Sequence, residues 1–142
     1  MGFSLIASAA ILSVTLFMAA EIITGDLLPT IESINDAYDD MKDRLREQVQ
    51  TDITISTVTR SLNLSNYDYN ISVQNTGSIT LNTEDFLVLI NGTNYQFSSS
   101  HIYLHPENVV YFQVVDVAGA GAKRIKVITN NGIADYYTYT PP

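Results

Sequence analysis

The residues best suited to chemistry are the chain's two histidines, His101 and His105, with Glu107 close by. Imidazole and carboxylate groups are common metal ligands, and a spacing of four on a helix would place both histidines on one face. This stretch instead has the character of a strand that ends before Pro106, and four strand residues separate two side chains by about 13 Å. We therefore expect surface histidines at a strand end, with no metal and no other cofactor.

A glycine-rich segment, Gly119-Ala120-Gly121, follows a predicted strand as a nucleotide-binding turn would. The third glycine of that pattern is missing, and residues 123–127 have the pattern of a strand and not of a helix. Without a helix N-terminus there is no anion site, so we expect a hairpin loop. The sequence has no nucleophile-elbow or phosphate-loop pattern. We expect no catalytic residue and no small-molecule substrate.

The charge and composition of the 142-residue chain also argue against several classes of protein. The formal net charge is −8, and an acidic surface repels phosphate, so we expect no nucleic acid partner. The absence of cysteine excludes disulfides, thiolate metal sites and cysteine nucleophiles. One basic cluster, formed by Lys123, Arg124 and Lys126, could contact a small anionic partner. The more common role for such a cluster is to protect a solvated edge strand, and we expect that role here.

Three Asn-X-Ser/Thr triplets begin at Asn63, Asn70 and Asn91 and are possible sites of N-glycosylation. Three matches are little more than chance gives in a chain this rich in Asn, Ser and Thr. The triplets therefore indicate an extracellular location only weakly.

The first part of the chain has the composition of a membrane anchor. Phe3 to Ala20 contains no charged residue, and a helix of that length, about 27 Å, approaches the thickness of the bilayer core. We predict a membrane-spanning helix over 1–23, with hydroxyl side chains bonded back to helix carbonyls. Small residues at spacing four, such as Ser4 and Ser8, could also let partner helices approach. The larger apolar side chains of the span are Phe3, Leu5, Ile6, Ile11, Leu12, Val14, Leu16 and Phe17.

A second helix is predicted over 24–50. Gly25 and Pro29 both weaken a helix, so we expect a kink or short break near its start. Beyond Pro29, apolar residues recur in steps of three and four, which predicts an amphipathic connecting helix with charged residues on its opposite face. The chain's own domain or a neighbouring copy must cover this stripe, and the second case would make a homo-oligomer. The residues of this helix-association stripe are Ile31, Ile34, Tyr38, Met41 and Leu45.

Residues 51–142 have the pattern of short strands separated by turns, with turns predicted at Asn75-Thr76-Gly77 and Asn130-Asn131-Gly132. We predict a chain that is mainly β after its N-terminal helix, with seven or eight strands in an immunoglobulin-like antiparallel β-sandwich. The run 86–90 is apolar on both faces, which predicts a buried central strand. Because a sandwich covers only one face of each strand, Leu87 and Leu89 form a possible partner surface.

Two parts of the sequence resemble a known family. Residues 75–82, Asn-Thr-Gly-Ser-Ile-Thr-Leu-Asn, and residues 88–93, Val-Leu-Ile-Asn-Gly-Thr, are similar to a stretch that recurs in archaellin-like proteins of archaea. The tail 127–136, Val-Ile-Thr-Asn-Asn-Gly-Ile-Ala-Asp-Tyr, also resembles them. In its order of apolar helix, amphipathic helix and β domain, the chain is most similar to the type F accessory (stator) proteins of the archaellum.

The resemblance implies a non-enzymatic structural role in the archaeal motility machine. It implies a single-pass protein of the cytoplasmic membrane whose β domain lies outside the cell, in the archaeal pseudoperiplasm, and anchors the motor as a stator. The implied partners are the surface-layer protein, the paralogous archaellum protein G and membrane lipid.

Two other classes remain open. One is a subunit of an archaellum or type IV pilus-like filament; the lack of Lys or Arg before Phe3 favours an uncleaved anchor over this processed subunit. The other is a lipid-anchored carbohydrate- or solute-binding module, for which no aromatic-lined site is identifiable from the sequence.

Overall fold

The computed structural model describes residues 2–142 and divides into two compact units, one ending at Asp43 and the other beginning at Arg44. The helical part consists of α1 (Gly2–Ile22), a π-helical segment (Ile23–Leu27) and α2 (Leu28–Gln50). The described residues that follow form the strands β1 (Ile53–Asn63), β2 (Asn66–Asn75), β3 (Leu81–Asn82), β4 (Leu87–Ile90), β5 (Thr93–Tyr95), β6 (Phe97–Ser99), β7 (Tyr103–Leu104), β8 (Val109–Val117), β9 (Lys123–Ile128) and β10 (Ala134–Tyr139).

The π-helical segment lies where the sequence predicts a kink or break. Pro29 has no N–H to donate and its ring clashes with the carbonyl of the preceding turn, while Gly25 weakens the helix on entropic grounds. The N–H of Leu28 bonds to the carbonyl of Ile23, one residue beyond the α-helical partner. The helix therefore widens for one turn and continues without breaking.

The helical residues 2–50 are exposed along their whole length. Within the described residues, this stretch is the one long and apolar enough to cross a membrane. The hydroxyl groups of Ser8, Ser13 and Thr15 donate to carbonyls three or four residues earlier, at 2.8 to 2.9 Å. This confirms the expected back-bonding, which leaves these hydroxyls satisfied without water.

The strands form a sandwich of two antiparallel four-stranded sheets, with strand orders β1-β2-β8-β6 and β10-β9-β4-β5, and a small β3-β7 pair. The predicted fold class is confirmed. The described residues form ten strands and not the seven or eight predicted, and one of the additional strands arises because the residues around Tyr95 and Phe97 divide at Gln96. There the chain leaves one sheet as β5 and joins the other as β6.

One hydrophobic core fills the space between the sheets. The Phe112 ring of β8 lies at its centre, with ring centroids 5.5 Å from Phe86 and 4.7 Å from Phe97. Alternate residues of each long strand point into this core, as expected because successive side chains of a β-strand lie on opposite faces. Its buried apolar residues are Ile53, Ile55, Val58, Tyr69, Ile71, Val73, Leu81, Phe86, Val88, Ile90, Leu104, Val110, Phe112, Val114, Val117, Ile125 and Val127.

The position of β9 corrects one expectation. The basic cluster of Lys123, Arg124 and Lys126 was expected on an edge strand, but β9 pairs with β10 on one side and with β4 on the other. The edge is taken by β10, the last strand of the chain. Strand order depends on pairings between distant segments, which the local pattern of β9 does not contain.

Candidate functional site

The first candidate is the place where the end of α2 meets the sandwich, which we call the helix junction. It consists of residues 47–52, the β2–β3 loop at 75–78, and Asn131 in the β9–β10 turn. All of these residues belong to the unit that begins at Arg44. The two sequence runs that resemble the archaellin-like proteins supply the loop and the turn.

The β2–β3 loop holds the backbone between α2 and β1. The N–H of Ser78 donates to the carbonyl of Gln50 at 2.9 Å, and the N–H groups of Thr76 and Gly77 both donate to the carbonyl of Asp52 at 3.0 Å. The Thr76 hydroxyl also donates to the Asp52 carboxylate at 2.8 Å. The loop thus satisfies the carbonyl of Gln50, one of those that the end of a helix leaves without partners, and holds the backbone at Asp52.

Asn75 fixes the loop itself. This residue is fully buried. Its Nδ2 donates to the carbonyls of Ile79 and Leu104 at 2.7 and 3.0 Å, and its Oδ1 accepts from the N–H of Gly77 at 3.0 Å. A buried amide satisfied in this way holds a loop in one conformation.

Gly77 permits the close approach of the two segments. A Cβ at this position would lie 2.4 Å from the Gln50 carbonyl oxygen and 2.5 Å from the Asp52 nitrogen. The contact is therefore backbone against backbone, and glycine is the residue that fits it.

The β9–β10 turn holds the last turn of α2 from the other strand pair. Gln48 Nε2 donates to the Asn131 carbonyl at 3.0 Å, and Asn131 Nδ2 donates to the Thr51 hydroxyl. Thr51 Oγ1 in turn donates to the Glu47 carbonyl at 2.7 Å. Farther along β1, the N–H of Ile55 donates to the Asp135 carboxylate at 2.7 Å, across the two sheets. Sequence reasoning treated these segments as turns and missed that they converge on the helix.

The second candidate is the outer face of the β10-β9-β4 strands, which we call the cationic face. Leu89 of β4, Lys126 of β9 and Tyr136 of β10 lie side by side in register. In the neighbouring row Leu87 lies beside Ile128, and Leu87 is 49% exposed. Strand β4 is central, as predicted, with Val88 and Ile90 buried on its inner face.

Aromatic and basic groups contact one another on this face. The Tyr136 ring centroid lies 4.9 Å from both Arg124 Cζ and Lys126 Nζ. A shallow depression of about 220 Å³ is lined by these three residues with Leu89 and Gly92. Two of the four basic residues of 51–142, Arg124 and Lys126, lie on this face, so it is cationic on an acidic protein.

A cavity of about 490 Å³ lies beside the cationic face, at the corner between β5 and β6. Its lining includes Tyr95, Phe97, Glu84, His101 and Leu87. The sequence did not reveal this lining, because the residues come from separate segments.

The asparagines of the three glycosylation triplets are exposed, but Ile71 and Ser72 of the second triplet are buried. Asn63 is at the tip of the β1–β2 hairpin, where its Nδ2 donates to the Asp68 carboxylate at 3.1 and 3.2 Å. Asn70 is in the middle of β2, and Asn91 is in the β4–β5 turn, where its Oδ1 accepts from the N–H of Arg124 at 2.8 Å. Since β1 runs for eleven residues from the helix junction, Asn63 lies about 36 Å away from it.

The histidines and the glycine-rich segment occupy the places that the sequence predicts. His101 and His105 are exposed on either side of β7, and their Nδ1 atoms lie 3.1 Å from different hydroxyls, of Ser100 and Thr80 respectively. Gly119-Ala120-Gly121 forms the β8–β9 loop, and the Arg60 guanidinium donates to the Ala120 carbonyl at 2.9 Å.

Comparison with known proteins identifies the fold but no family. No protein-family model matches the sequence, and no curated protein matches it. The solved archaellum periplasmic stator protein FlaG from Sulfolobus acidocaldarius is similar in structure, with a TM-score of 0.54 and 19% identity over 63% of this chain and 99% of that chain. The complex of the archaellum periplasmic stator proteins FlaF and FlaG from the same organism gives a TM-score of 0.53 and 17% identity, over 61% of this chain and 87% of that chain. At these identities the similarity shows a shared fold and does not separate type F from type G.

Proposed function

We propose that the chain is a non-enzymatic structural component of the archaellum, acting as a stator subunit. The observation that carries the proposal is the shared fold with two archaellum stator structures, in a chain whose family-like runs 75–82 and 127–136 both contribute to the helix junction. In this proposal α1 is held in the cytoplasmic membrane by lipid, and the β domain lies outside the cell in the pseudoperiplasm.

The helix junction suits a part that must resist torque. A flexible linker between anchor and domain would let the domain turn freely and would carry no force. Here the last turn of α2 is bonded to two separate loops of the domain, through the carbonyl of Gln50 and through the side chain of Gln48. Load applied to the domain would therefore pass directly into the helix.

The cationic face is the proposed docking surface, and the surface-layer protein is its proposed occupant. Exposed Leu87 with Leu89 offers apolar contact, while Arg124 and Lys126 select a partner that carries carboxylates. The FlaF–FlaG complex supports a paralogous archaellum protein as a further partner. The exposed side chains of Asn63, Asn70 and Asn91 could carry glycans on the same extracellular domain.

Leu87→Asp tests the docking surface, with Gln113→Asp, at an exposed position of β8 in the other sheet, as a matched control. We expect Leu87→Asp to reduce copurification of the surface-layer protein from membranes at least tenfold, because a carboxylate would be buried against a partner that already carries carboxylates. The urea midpoint of the domain should stay unchanged in both variants. A lowered midpoint with binding lost in proportion would mean that Leu87 stabilises the domain and is not a contact.

Cell fractionation separates the stator from the alternative, a filament subunit. A stator should remain with membranes after cells are sheared, whereas a filament subunit should sediment with the detached filaments. Recovery of the chain mainly in the filament fraction would reject the proposed function.

A further inference from the structure

The apolar stripe of α2 is exposed in the single chain. Ile31, Ile34, Tyr38, Met41 and Leu45 are each between 51% and 64% exposed. They occupy successive a and d positions of a heptad that begins with Ile31 at a. A continuous row of large apolar side chains on one helical face marks a contact surface.

The acidic residues of α2 avoid this seam. In the same heptad frame all of them fall at the outer b, c and f positions; they are Glu32, Asp36, Asp39, Asp40, Asp43 and Glu47. The positions that flank the seam carry no acid. In a parallel pair the facing g and e positions would be Thr30 with Asn35, Ala37 with Lys42, and Arg44 with Val49. Each pair contains at most one charge, so two copies of this helix meet without repulsion between like charges.

Two further observations favour a second copy over the chain's own domain. Like-charged pairs at spacing four, such as Asp36 with Asp40 and Asp39 with Asp43, destabilise the isolated helix, so contact along the stripe must compensate. The next d position after Met41 is Gln48, whose side chain donates to Asn131. The apolar seam therefore ends where α2 joins its own domain.

We propose that α2 forms a parallel two-stranded coiled coil with α2 of a second copy of this chain, with Ile31, Ile34, Tyr38, Met41 and Leu45 as its seam. The two domains would then be held as a pair, each at the end of its own helix. This pairing does not depend on the archaellum assignment, since it follows from the helix alone.

Single-cysteine cross-linking of the full chain in native membranes tests the proposal, and the chain is suited to it because it contains no cysteine. Met41→Cys and Ile34→Cys should form disulfide-linked dimers on mild oxidation. Asp36→Cys and Asp43→Cys lie at f positions on the opposite face, and each should give at least tenfold less disulfide-linked dimer than the two seam variants. Equal cross-linking at all four positions would reflect random collision and would overturn the seam.

A second variant tests whether the stripe drives the contact. Adding Ile34→Asp to Met41→Cys should reduce the dimer at least tenfold, whereas Ser33→Asp, the same charge one residue away at an outer position, should leave it unchanged. The urea midpoint of the β domain should be the same in both, which excludes misfolding. An unchanged yield of dimer with Ile34→Asp would reject the coiled coil.

Discussion

At the scale of single residues, Tyr69 is the most unusual group in the core. Its side chain is fully buried, and its ring packs edge-on against Tyr139 with centroids 5.5 Å apart. Its hydroxyl has no hydrogen-bond partner among the residues that the structure describes. Burial raises the pKa of the Tyr69 phenol above its ordinary value of 10.0, and the nearby Arg60 opposes the rise.

Tyr69→Phe should therefore change stability differently at neutral and at alkaline pH. Near pH 7 the free energy of unfolding should fall by less than about 1 kcal/mol or should rise, because the hydroxyl removed has no partner. Because the pKa of the Tyr69 phenol is higher in the folded state than in the unfolded state, keeping the phenol protonated favours folding. This contribution to stability is complete below the unfolded pKa of 10.0 and is lost as pH rises through the folded pKa. The variant should lose less stability than the native protein above pH 10.

Urea midpoints measured from pH 7 to pH 11 check this expectation, with Tyr111→Phe as the control. Tyr111 is exposed on β8, so its substitution removes the same hydroxyl from outside the core. Parallel curves for the native protein and Tyr69→Phe across this range would contradict the effect of burial.

At the scale of elements, the sequence predicts the individual helices and strands but not the order of the strands or the contacts between distant segments. The long uncharged apolar run predicted α1, and the period of the apolar residues predicted α2 and the inner faces of the long strands, because a helix or strand exposes or buries residues at a fixed spacing. It placed the cationic cluster on an edge strand, because nothing within 123–127 shows that β10 pairs outside β9. Asn75-Thr76-Gly77 was predicted as a turn, but its contact with Gln50 depends on the tertiary fold.

The close packing at the helix junction gives a prediction for Gly77. Gly77→Ala should lower the free energy of unfolding of the domain by about 2 kcal/mol or more, because the new Cβ meets rigid backbone at Gln50 and Asp52. Gly121→Ala is the matched control, since a Cβ there meets nothing within 4 Å, and it should change stability by less than about 0.5 kcal/mol. Equal urea midpoints for the two variants would mean that the segments separate at little cost.

At the scale of the whole molecule, the compact unit that contains the sandwich begins before the end of α2. The change in the apolar period predicts a domain over 51–142. The compact unit of the structure begins at Arg44, and residues 47–50 within it are bonded to the β2–β3 loop and the β9–β10 turn. The last turn of α2 is thus part of the same compact unit as the sandwich.

Two fragments of the chain test this boundary. Fragment 44–142 should be more stable than fragment 51–142 by about 1–3 kcal/mol, because the shorter one leaves the N–H of Ser78 without the carbonyl of Gln50 and Asn131 without Gln48. Asn131→Ala should cost more in 44–142 than in 51–142, because Asn131 Nδ2 also donates to the Glu47 carbonyl, which the shorter fragment lacks; its side-chain bonds to Thr51 and from Thr129 are present in both. Urea unfolding followed by circular dichroism at a strand-sensitive wavelength measures all four midpoints. If 44–142 and 51–142 unfold at the same urea concentration, the last turn of α2 adds nothing to the stability of the domain, and these hydrogen bonds do not make it part of the fold.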